Sequence, residues 1–516
     1  MSRVAVLGGG ISGLASAALL AADGHEVTLF EQAAQLGGRA GSWERDGFRF
    51  DTGPSWYLMP EVFEHCFRLL GTTAAAELDL VRLDPAYRLF ADGAAPLDVH
   101  SDRERSLALF ESVEPGAGAA LARHLDSATR TARMANDRFL YTDFSHPKAF
   151  LPGGELRELP RLATLLGTSL RSMVEASFSD RRLRQILQYP AVFLGGSPDI
   201  APALFHLMSS FDLAEGVLYP RGGFTTVIEA FARLAREAGA RLHTGARVHR
   251  ILVDGGAVRG VVVAREGLVR EERFDRVVST VDMHHSDTAL LPGAARERPP
   301  RHWRRANPGT GAVLAMLGVR GRLPGLVHHN LVFTEDWDAN FDAIFGDAPR
   351  VPDPASFYAC APSRTDDSVA PEGHENLFLL VPVPADPAIG SGGVDGGGAS
   401  AVERVADRAI AALAAHAGAP DLAERIVVRR TIGPADFARD LHSWRGSALG
   451  PAHTLRQSAF LRGRTRSRTT RGLFYAGATT LPGIGLPMCL ISAELVLKAF
   501  RGDRTTGPLP VPEAVR

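Results

Sequence analysis

Residues 5–32 read AVLGGGISGLASAALLAADGHEVTLFEQ, and this stretch decides the fold. Its short apolar start predicts a strand in the buried middle of a parallel sheet. A turn with the spacing G-x-G-x-x-G follows, and its glycines are Gly8, Gly10 and Gly13. The pattern then predicts a helix over residues 11–23 and a second strand, EVTLF, followed by Glu31. Strand, glycine turn, helix, strand and acid in this order indicate a dinucleotide site.

Each part of this pattern has a physical role in holding a dinucleotide. The first glycine permits the tight turn, the second lets the backbone approach a pyrophosphate, and the third lets the helix pack closely on the strand. The helix start offers free amides and the positive end of its dipole to phosphates. Glu31 stands where an acid binds ribose hydroxyls. Because its charge disfavours a 2′-phosphate, NADP is not expected.

A second glycine turn directly after this unit favours FAD over NAD. Gly37 and Gly38 again permit close approach of the backbone, and Arg39 can pair with phosphate through its forked guanidinium. Simple NAD domains do not usually add this element. Near the other end of the chain, residues 471–500 predict a strand, a loop rich in glycine and proline, and a helix from Pro487 or Met488. That helix start is a second anion-receptive site.

Several stretches of the chain resemble bacterial carotenoid desaturases of the phytoene desaturase type, within the flavin-containing amine oxidase superfamily. They are DTGPSWYLMPEVFEHCFRLLG (51–71), YPRGGFTTVIEAFARLA (219–235), VVSTVDMHH (277–285), APSRTDDSVAPEGHENLFLLVPVP (361–384), GSALGPAHTLRQSAFLR (446–462) and YAGATTLPGIGLP (475–487). The resemblance spreads over most of the chain and is weakest between residues 95 and 180. It implies an α/β fold, with a Rossmann-like FAD-binding domain of the GR2 type and an inserted α+β substrate domain.

The lysines separate this chain from the amine oxidases of the superfamily. Those enzymes typically place a lysine near the flavin, whereas Lys148 and Lys498 are the only lysines here. Lys498 falls late in the terminal helix, and Lys148 lies in a loop-like stretch where exposure is expected. The resemblance is therefore to the desaturase branch.

The motifs and the resemblance together predict a site for FAD. In the superfamily the G-G-R turn contacts the FAD pyrophosphate, the DTGPS segment passes near the flavin, and the C-terminal helix start points at the flavin ring. Relatives cover the adenine with the strand that holds Val248, although Val248 reads equally well as an ordinary buried strand residue. Ala478 departs from the family pattern, which has an acid there, so a side-chain contact is not expected. The predicted cofactor-binding residues are Gly8, Gly10, Ile11, Ser12, Gly13, Glu31, Gln32, Gly38, Arg39, Gly53, Pro54, Ser55, Val248, Gly477, Leu486 and Met488.

The resemblance also implies that the FAD-binding domain is discontinuous. Residues 1–95, 215–290 and 440–516 are expected to assemble it. Residues 96–214 and 291–439 are expected to form the substrate-binding, membrane-facing domain.

The implied activity is FAD-dependent desaturation of a long polyisoprenoid hydrocarbon, 15-cis-phytoene, in carotenoid biosynthesis. Such a substrate has no polar handle, so its binding must come from an apolar tunnel. Each desaturation removes a hydride to the flavin and a proton, so few catalytic side chains are needed. Oxygen and a membrane quinone both fit as electron acceptor. Glu155, Arg157 and Glu158 lie roughly where polar site residues have been proposed in relatives, and a solvated helix face is the alternative interpretation.

Other functions on the same scaffold stay open at this point. A C30 carotene desaturase, a later carotenoid dehydrogenase, an isomerase and a ketolase share the motifs near the flavin. A non-redox prenyl-binding escort protein shares the fold but lacks an intact flavin site, whereas this chain retains the glycines, Glu31 and Arg39.

Composition and charge exclude several classes of partner. A formal net charge of -1 gives no reason to expect nucleic acid. The cysteines, Cys66, Cys360 and Cys489, form no CxxC pair, so neither a disulfide scaffold nor a metal site is expected. The sequence shows no signal-peptide pattern and no run of the roughly 20 apolar residues that span a bilayer. We expect a cytoplasmic protein that docks peripherally on a membrane through residues 150–178, with packing of this segment on its own lobe as the alternative.

Overall fold

A five-stranded parallel sheet forms the centre of the computed structural model, which describes residues 1–144 and 158–512. Its strands, in order across the sheet, are Leu473–Tyr475, Arg276–Ser279, Arg3–Leu7, Glu26–Phe30 and Arg241–His243. The two strands predicted from the opening stretch are therefore neighbours inside the sheet. The strand near the C-terminus forms one edge. This arrangement confirms the α/β, Rossmann-like fold.

The parallel sheet is covered on both faces. Val4 and Val6 pack into a cluster with helices, and Ala5 and Leu7 pack on the opposite side. The helical layer consists of Ile11–Ala22, Phe224–Glu237 and Leu486–Arg501. The other layer is an antiparallel sheet of Arg247–Asp254, Ala257–Arg265 and Leu268–Arg273. Burial on both faces explains why the first strand is apolar throughout rather than alternating.

A seven-stranded sheet forms the centre of the second lobe. Its order is Ile426–Ile432, Thr310–Arg320, His374–Pro384, Phe357–Cys360, His329–Phe333, Tyr87–Ala91 and Leu97–Val99. Helix Ser400–Ala417 packs on one face. The other face carries an apolar cluster that includes Phe48, Phe50 and Ala448.

The position of Tyr87–Ala91 bears on the predicted domain boundaries. This strand pairs in parallel with His329–Phe333 in the seven-stranded sheet, although it falls within the predicted segment 1–95 of the FAD-binding domain. Its backbone hydrogen bonds thus connect this strand to the sheet of the second lobe. The domain division stays a prediction.

Helices and two small antiparallel pairs complete the described part of the chain. The small pairs are Ser42–Arg45 with Phe48–Asp51, and Leu80–Arg82 with Leu218–Pro220. Further helices of seven or more residues are Pro60–Leu69, Arg103–Val113, Ala117–Met134, Leu159–Gly167, Arg181–Gln188, Trp337–Phe345 and Pro434–Asp440. Across residues 1–144 and 158–512, no helix combines the length and the apolar character that crossing a bilayer requires.

Candidate cofactor and substrate site

The first glycine turn forms a cradle at the start of helix Ile11–Ala22. Gly8 has φ +103°, a conformation that side chains rarely adopt, and a Cβ on Gly13 would collide with the carbonyl oxygen of Gly8. A Cβ on Gly10 would instead make only ordinary van der Waals contacts, 3.7 Å from Gly37 O and 3.9 Å from Gly38 Cα. The cradle is therefore closed by packing at Gly13 and open at Gly10, as close approach of a pyrophosphate requires.

Glu31 closes one side of this cradle. Its carboxylate accepts hydrogen bonds from Gly9 N at 2.6 Å and from Ala33 N at 2.7 Å. These bonds hold the side chain beside the glycine turn, and a carboxylate has about four lone-pair sites, so acceptor capacity is left for ribose hydroxyls. The side chain of Glu31 thus lies at the glycine turn, and its binding to ribose stays a prediction.

The structure shows contacts of Gln32 and Val248 with other residues of the chain. The side-chain amide of Gln32 donates to Asp440 O at 2.7 Å and its oxygen lies 2.9 Å from His442 Nε2. The His442 ring stacks on His285, with 3.9 Å between ring centroids. Val248 is half-buried against the apolar layer below the sheet. A role of either residue in cofactor binding stays a prediction.

The second glycine turn docks directly on the first. Gly37 N donates to Gly9 O at 2.9 Å, so the two turns face each other across the cradle. Arg39 donates to Ala448 O at 2.9 Å and to Ser443 Oγ at 2.6 Å. Burial lowers the pKa of this guanidinium, although Asp282 nearby opposes that effect. Arg39 thus ties the cradle to the segment that packs against the seven-stranded sheet.

The DTGPS segment packs on this arginine turn. A Cβ on Gly53 would collide with the carbonyl oxygen of Arg39, which explains the glycine. Ser55, two residues further, has its hydroxyl 2.8 Å from the hydroxyl of Tyr358. Asp51 caps helix Phe224–Glu237 by accepting from Phe224 N at 2.8 Å, and burial raises the pKa of its carboxyl to about 6. The sequence did not reveal this capping role.

The C-terminal helix start reaches the same cradle from the other side. Ser12 Oγ donates to Cys489 O at 3.1 Å, and Gly477 N donates to Ser492 Oγ at 3.0 Å. Helix Leu486–Arg501 begins after Gly485 with no acid in its first turn and no capping side chain among the described residues. Leu486 and Met488 are half-buried. The first amides of this helix are therefore available to an anionic group.

A buried arginine that the sequence did not reveal holds this C-terminal loop. Arg462 is 5 % exposed, and it donates to the carbonyl oxygens of Thr480, Gln457, Pro451 and Ala478 at 2.6 to 3.1 Å. Burial lowers its pKa to about 9. Hydrogen bonds from one guanidinium to four carbonyl oxygens hold the loop next to the cofactor cradle in a single arrangement.

Of the polar residues proposed for catalysis, the structure describes only Glu158. Glu155 and Arg157 lie outside the described residues. Glu158 pairs with Arg161 at 3.0 Å on the helical lobe, as the alternative interpretation of a helix-face charge expects. Lys498 is 3 % exposed and donates to Tyr141 O, Thr505 O and Gly507 O, twelve residues along the helix from its cofactor-facing start. The one described lysine thus has a structural role.

An aromatic wall lies beside Ser55. The Trp56 ring stacks on His329 with centroids 4.6 Å apart, and it lies 5.9 Å from Phe193 and 6.2 Å from Tyr358. Trp56, Phe193 and Tyr358 are half-buried as residues, and half-buried Leu380 packs in the same apolar cluster as Tyr358. We call Trp56, Phe193, Tyr358 and Leu380 the aromatic wall. It is an apolar surface next to the cradle and fits a hydrocarbon rather than an amine.

Behind the wall lies a buried carboxyl group. Asp212 is 2 % exposed and accepts from Tyr189 OH at 2.7 Å and from Tyr87 OH at 3.3 Å. Burial raises its pKa to about 7, although both tyrosine hydroxyls oppose that shift. The cluster supports the wall, because Trp56 packs on both tyrosines.

Comparison with known proteins identifies the scaffold. Residues 11–496 match the family described as flavin containing amine oxidoreductase. A carotenoid 3,4-desaturase of Haloarcula japonica is 40% identical over 97% of this chain and 98% of its own length. A zeta-carotene-forming phytoene desaturase of Myxococcus xanthus is 36% identical over 96% of this chain and 93% of its own. The chain belongs to the carotenoid desaturases.

Solved structures agree with this placement at the level of the fold. Putrescine oxidase bound to putrescine superposes with a TM-score of 0.60 at 16% identity, covering 97% of this chain and 99% of that one. An oxidoreductase of Methanosarcina mazei gives the same TM-score over 96% of this chain and 100% of its own. These identities are too low to carry a substrate, and they show the fold alone.

The cofactor of this desaturase is FAD. The family is flavin-containing, and the paired glycine turns with Glu31 form a cradle for an adenine dinucleotide. The open side of Gly10 and the two helix starts without acids fit the pyrophosphate and the flavin. When bound, FAD supplies the hydride acceptor for oxidation of a CH–CH bond. The chain is thus an FAD-dependent oxidoreductase of carotenoid biosynthesis.

Proposed function

We propose that this desaturase acts on 15-cis-phytoene. The observation that carries the proposal is the aromatic wall beside Ser55, which offers apolar surface and no ionic partner for a substrate. A hydrocarbon gains its affinity from such surface, at roughly 25 cal/mol per Å² of apolar area removed from water. The phytoene-desaturating relative of Myxococcus xanthus covers nearly the whole chain and supports this choice.

Desaturation of a later carotenoid at the 3,4 position is the second candidate. It is favoured by the 40% identity to the carotenoid 3,4-desaturase, against 36% to the phytoene desaturase. Both activities remove hydrogens from neighbouring carbons of a long polyene. They differ in which part of the substrate reaches the cradle.

A substrate assay separates the two candidates. The purified holoenzyme is incubated with phytoene, with a carotenoid already desaturated along its centre, or with a C30 carotene precursor, each in liposomes, with oxygen or a quinone as electron acceptor. We expect phytoene to disappear and longer polyenes to form, detected by chromatography with absorption spectra. Conversion of the desaturated carotenoid alone would assign the 3,4 activity. Conversion of a C30 substrate alone, isomerisation without loss of hydrogen, or a ketone product would contradict both candidates.

We also propose that the enzyme docks on a membrane surface, from which a water-insoluble substrate must enter. Six large apolar residues are 42 to 52 % exposed on three segments of the chain. They are Leu159, Leu166, Ile200, Leu455, Phe460 and Leu461, which we call the docking surface. Helix Leu159–Gly167 packs on Ala203–Leu207, and Phe205 in that segment lies 5.6 Å from His453, which connects the two sets.

The predicted docking segment, residues 150–178, contributes only in part to this surface. Residues 145–157 lie outside the described chain. Leu165, Leu170 and Val174 pack inward on their own lobe, whereas Leu159 and Leu166 point outward. The sequence did not indicate that residues 455–461 contribute to the docking surface, because no periodic pattern marks that loop.

Charges on the docking surface are expected to reduce liposome binding. The double variant Leu166→Glu with Leu461→Glu places two carboxylates where apolar groups would enter the headgroup region, and we expect a bound fraction at least about tenfold lower. The matched control is Leu268→Glu, because Leu268 is 51 % exposed on the three-stranded sheet. Co-sedimentation with liposomes of mixed neutral and anionic lipid measures the effect. Equal sedimentation of the double variant and the wild type would show that this surface is wrong.

A further inference from the structure

A hydrogen-bonded chain of three side chains runs inward from the DTGPS segment. The hydroxyl of Tyr358 lies 2.8 Å from Ser55 Oγ and 2.7 Å from His329 Nδ1. Ser55 and Tyr358 are half-buried, whereas His329 is fully buried. The chain therefore connects the accessible aromatic wall with an imidazole that solvent does not reach.

The outer end of this chain lies at the cofactor cradle. Gly53 packs on the carbonyl of Arg39, and Ser55 follows two residues later. Tyr358 packs in the same apolar cluster as Ala448, whose carbonyl accepts from Arg39. The Tyr358 hydroxyl thus lies within hydrogen-bond distance of a segment that packs on the arginine turn of the predicted FAD site.

The inner end of the chain is a histidine with an unused nitrogen. His329 Nε2 has no hydrogen-bond partner anywhere in residues 1–144 and 158–512. Burial, with His328 adding to it, lowers the pKa of His329 well below 6.5, so the imidazole is neutral. A buried polar atom without a partner costs about 1–3 kcal/mol. Such a cost is commonly retained where the group has a function.

Burial disfavours a positive charge on His329, and one neighbouring ring offsets part of that cost for a transient charge. The Trp56 ring lies parallel to the imidazole, at an interplanar angle of 10° and 4.6 Å between centroids. A cation over the face of an indole is stabilised by about 0.5–2 kcal/mol. The carboxyl of Asp212 lies behind the same indole, bonded to the two tyrosines on which Trp56 packs.

We propose that Tyr358 and His329 form the proton relay of the desaturation. After a hydride has left one carbon of the polyene with its electron pair, the C–H bond of the neighbouring carbon breaks and its electron pair forms the new double bond. The proton goes to the Tyr358 oxygen, and the hydroxyl proton of Tyr358 passes to His329 Nδ1. The relay requires the histidine tautomer with its proton on Nε2. It returns to its starting state when His329 gives the proton back through Tyr358 after product release.

The same residues admit one other interpretation. Donor atoms of His328, His329 and Cys360 lie within 4.8 Å of one another, as those of metal ligands do. Nδ1 of His329 is already 2.7 Å from Tyr358 OH, and Nδ1 of His328 is 2.8 Å from Thr365 Oγ1. Both Nε2 atoms lack a hydrogen-bond partner among the described residues, so elemental analysis of the holoenzyme for zinc and copper decides between the relay and a metal site.

The test compares Tyr358→Phe and His329→Gln with the wild type and with Tyr219→Phe. The control removes a buried tyrosine hydroxyl that bonds to Asp366 and lies outside the relay. Rapid mixing without oxygen, with chemical quenching, follows formation of the new double bond in a single turnover, and fluorescence titration measures FAD affinity. We expect Tyr358→Phe to slow double-bond formation by a factor of about 10²–10⁴, the range of general acid–base catalysis, with the FAD dissociation constant and KM within about twofold.

An isotope effect distinguishes a relay from a merely structural role. Deuterium at the carbon that loses the proton is expected to slow Tyr358→Phe and His329→Gln more than it slows the wild type, since proton loss becomes the slower step. The relay rests on carotenoid desaturation but not on which carotenoid is used. A wild type that reduces its flavin with neither candidate carotenoid would overturn the proposed substrates. An active wild type with an equally fast Tyr358→Phe, an unchanged isotope effect, or one equivalent of bound metal would overturn the relay.

Discussion

Replacement of Gly10 by valine is expected to raise the FAD dissociation constant by at least about 100-fold, which corresponds to roughly 2.7 kcal/mol. The Cβ of residue 10 points into the space between the two glycine turns, where the nearest atoms are Gly37 O and Gly38 Cα. A branched side chain fills the space that the pyrophosphate needs. Gly10 has φ -75° and ψ 177°, which any residue adopts, so the variant is expected to fold.

The measurement is a fluorescence titration of apoprotein with FAD, together with thermal unfolding of the apoprotein. The matched control is Gly167→Val, because a Cβ at Gly167 meets nothing within 4 Å and this glycine ends an exposed helix far along the chain. We expect equal apoprotein Tm values for Gly10→Val and the wild type. If Gly10→Val binds FAD as tightly as the control does, the pyrophosphate does not lie in this cradle.

The sequence predicts the cradle well because the residues that form it lie close together in the sequence. The first strand, the glycine turn, helix Ile11–Ala22 and Glu31 follow one another within about one supersecondary unit, and each glycine answers a steric demand of its immediate neighbours. The helix ends one residue before the predicted end. The terminal helix starts at Leu486, one residue before Pro487, which is the earlier of the two predicted starts.

The aromatic wall and the relay could not be predicted in this way. Ser55 and Tyr358 are 303 positions apart, and His329 lies 29 positions from Tyr358. Their meeting depends on the pairing of His329–Phe333 with Phe357–Cys360 and on the packing of the DTGPS segment against that sheet. Tyrosine, histidine and serine are common as isolated buried residues, so none of the three forms a motif by itself. They form a hydrogen-bonded chain only because the register of the sheet brings them together.

The predicted domain boundary at residue 95 shows the same limit of prediction from local sequence. Tyr87–Ala91 is a short apolar strand that fits either sheet by its composition, and its partner strand begins more than two hundred residues later. A local pattern cannot choose between two sheets. Long-range pairing decides, and it assigns this strand to the seven-stranded sheet.

Arg462 carries the second large expected effect. Its guanidinium joins the loop of residues 451–457 to residues 478–480 through four carbonyl oxygens, and residue 478 directly follows Gly477 of the cofactor site. Loss of the donor leaves buried carbonyls without partners, each at a cost of about 1–3 kcal/mol. Removal of a buried charge that has no carboxylate partner among its described hydrogen bonds offsets part of that cost. The cost of the unpaired carbonyl oxygens exceeds the gain from removing the buried charge, so loss of the arginine favours disorder of the loop.

We therefore expect Arg462→Met to weaken FAD binding by about 10- to 100-fold and to lower the Tm of the apoprotein, because the side chain keeps its apolar stem but loses every donor. The matched control is Arg468→Met, an exposed arginine six residues later. Arg462→Lys should recover part of the affinity, since three donors on one nitrogen can reach some of the carbonyls but not the full fork. FAD titration and thermal unfolding of all three variants give the answer. An Arg462→Met protein with the affinity of the control would mean that residues 478–480 keep their place without the arginine, and that the helix start at Leu486 alone orders this side of the site.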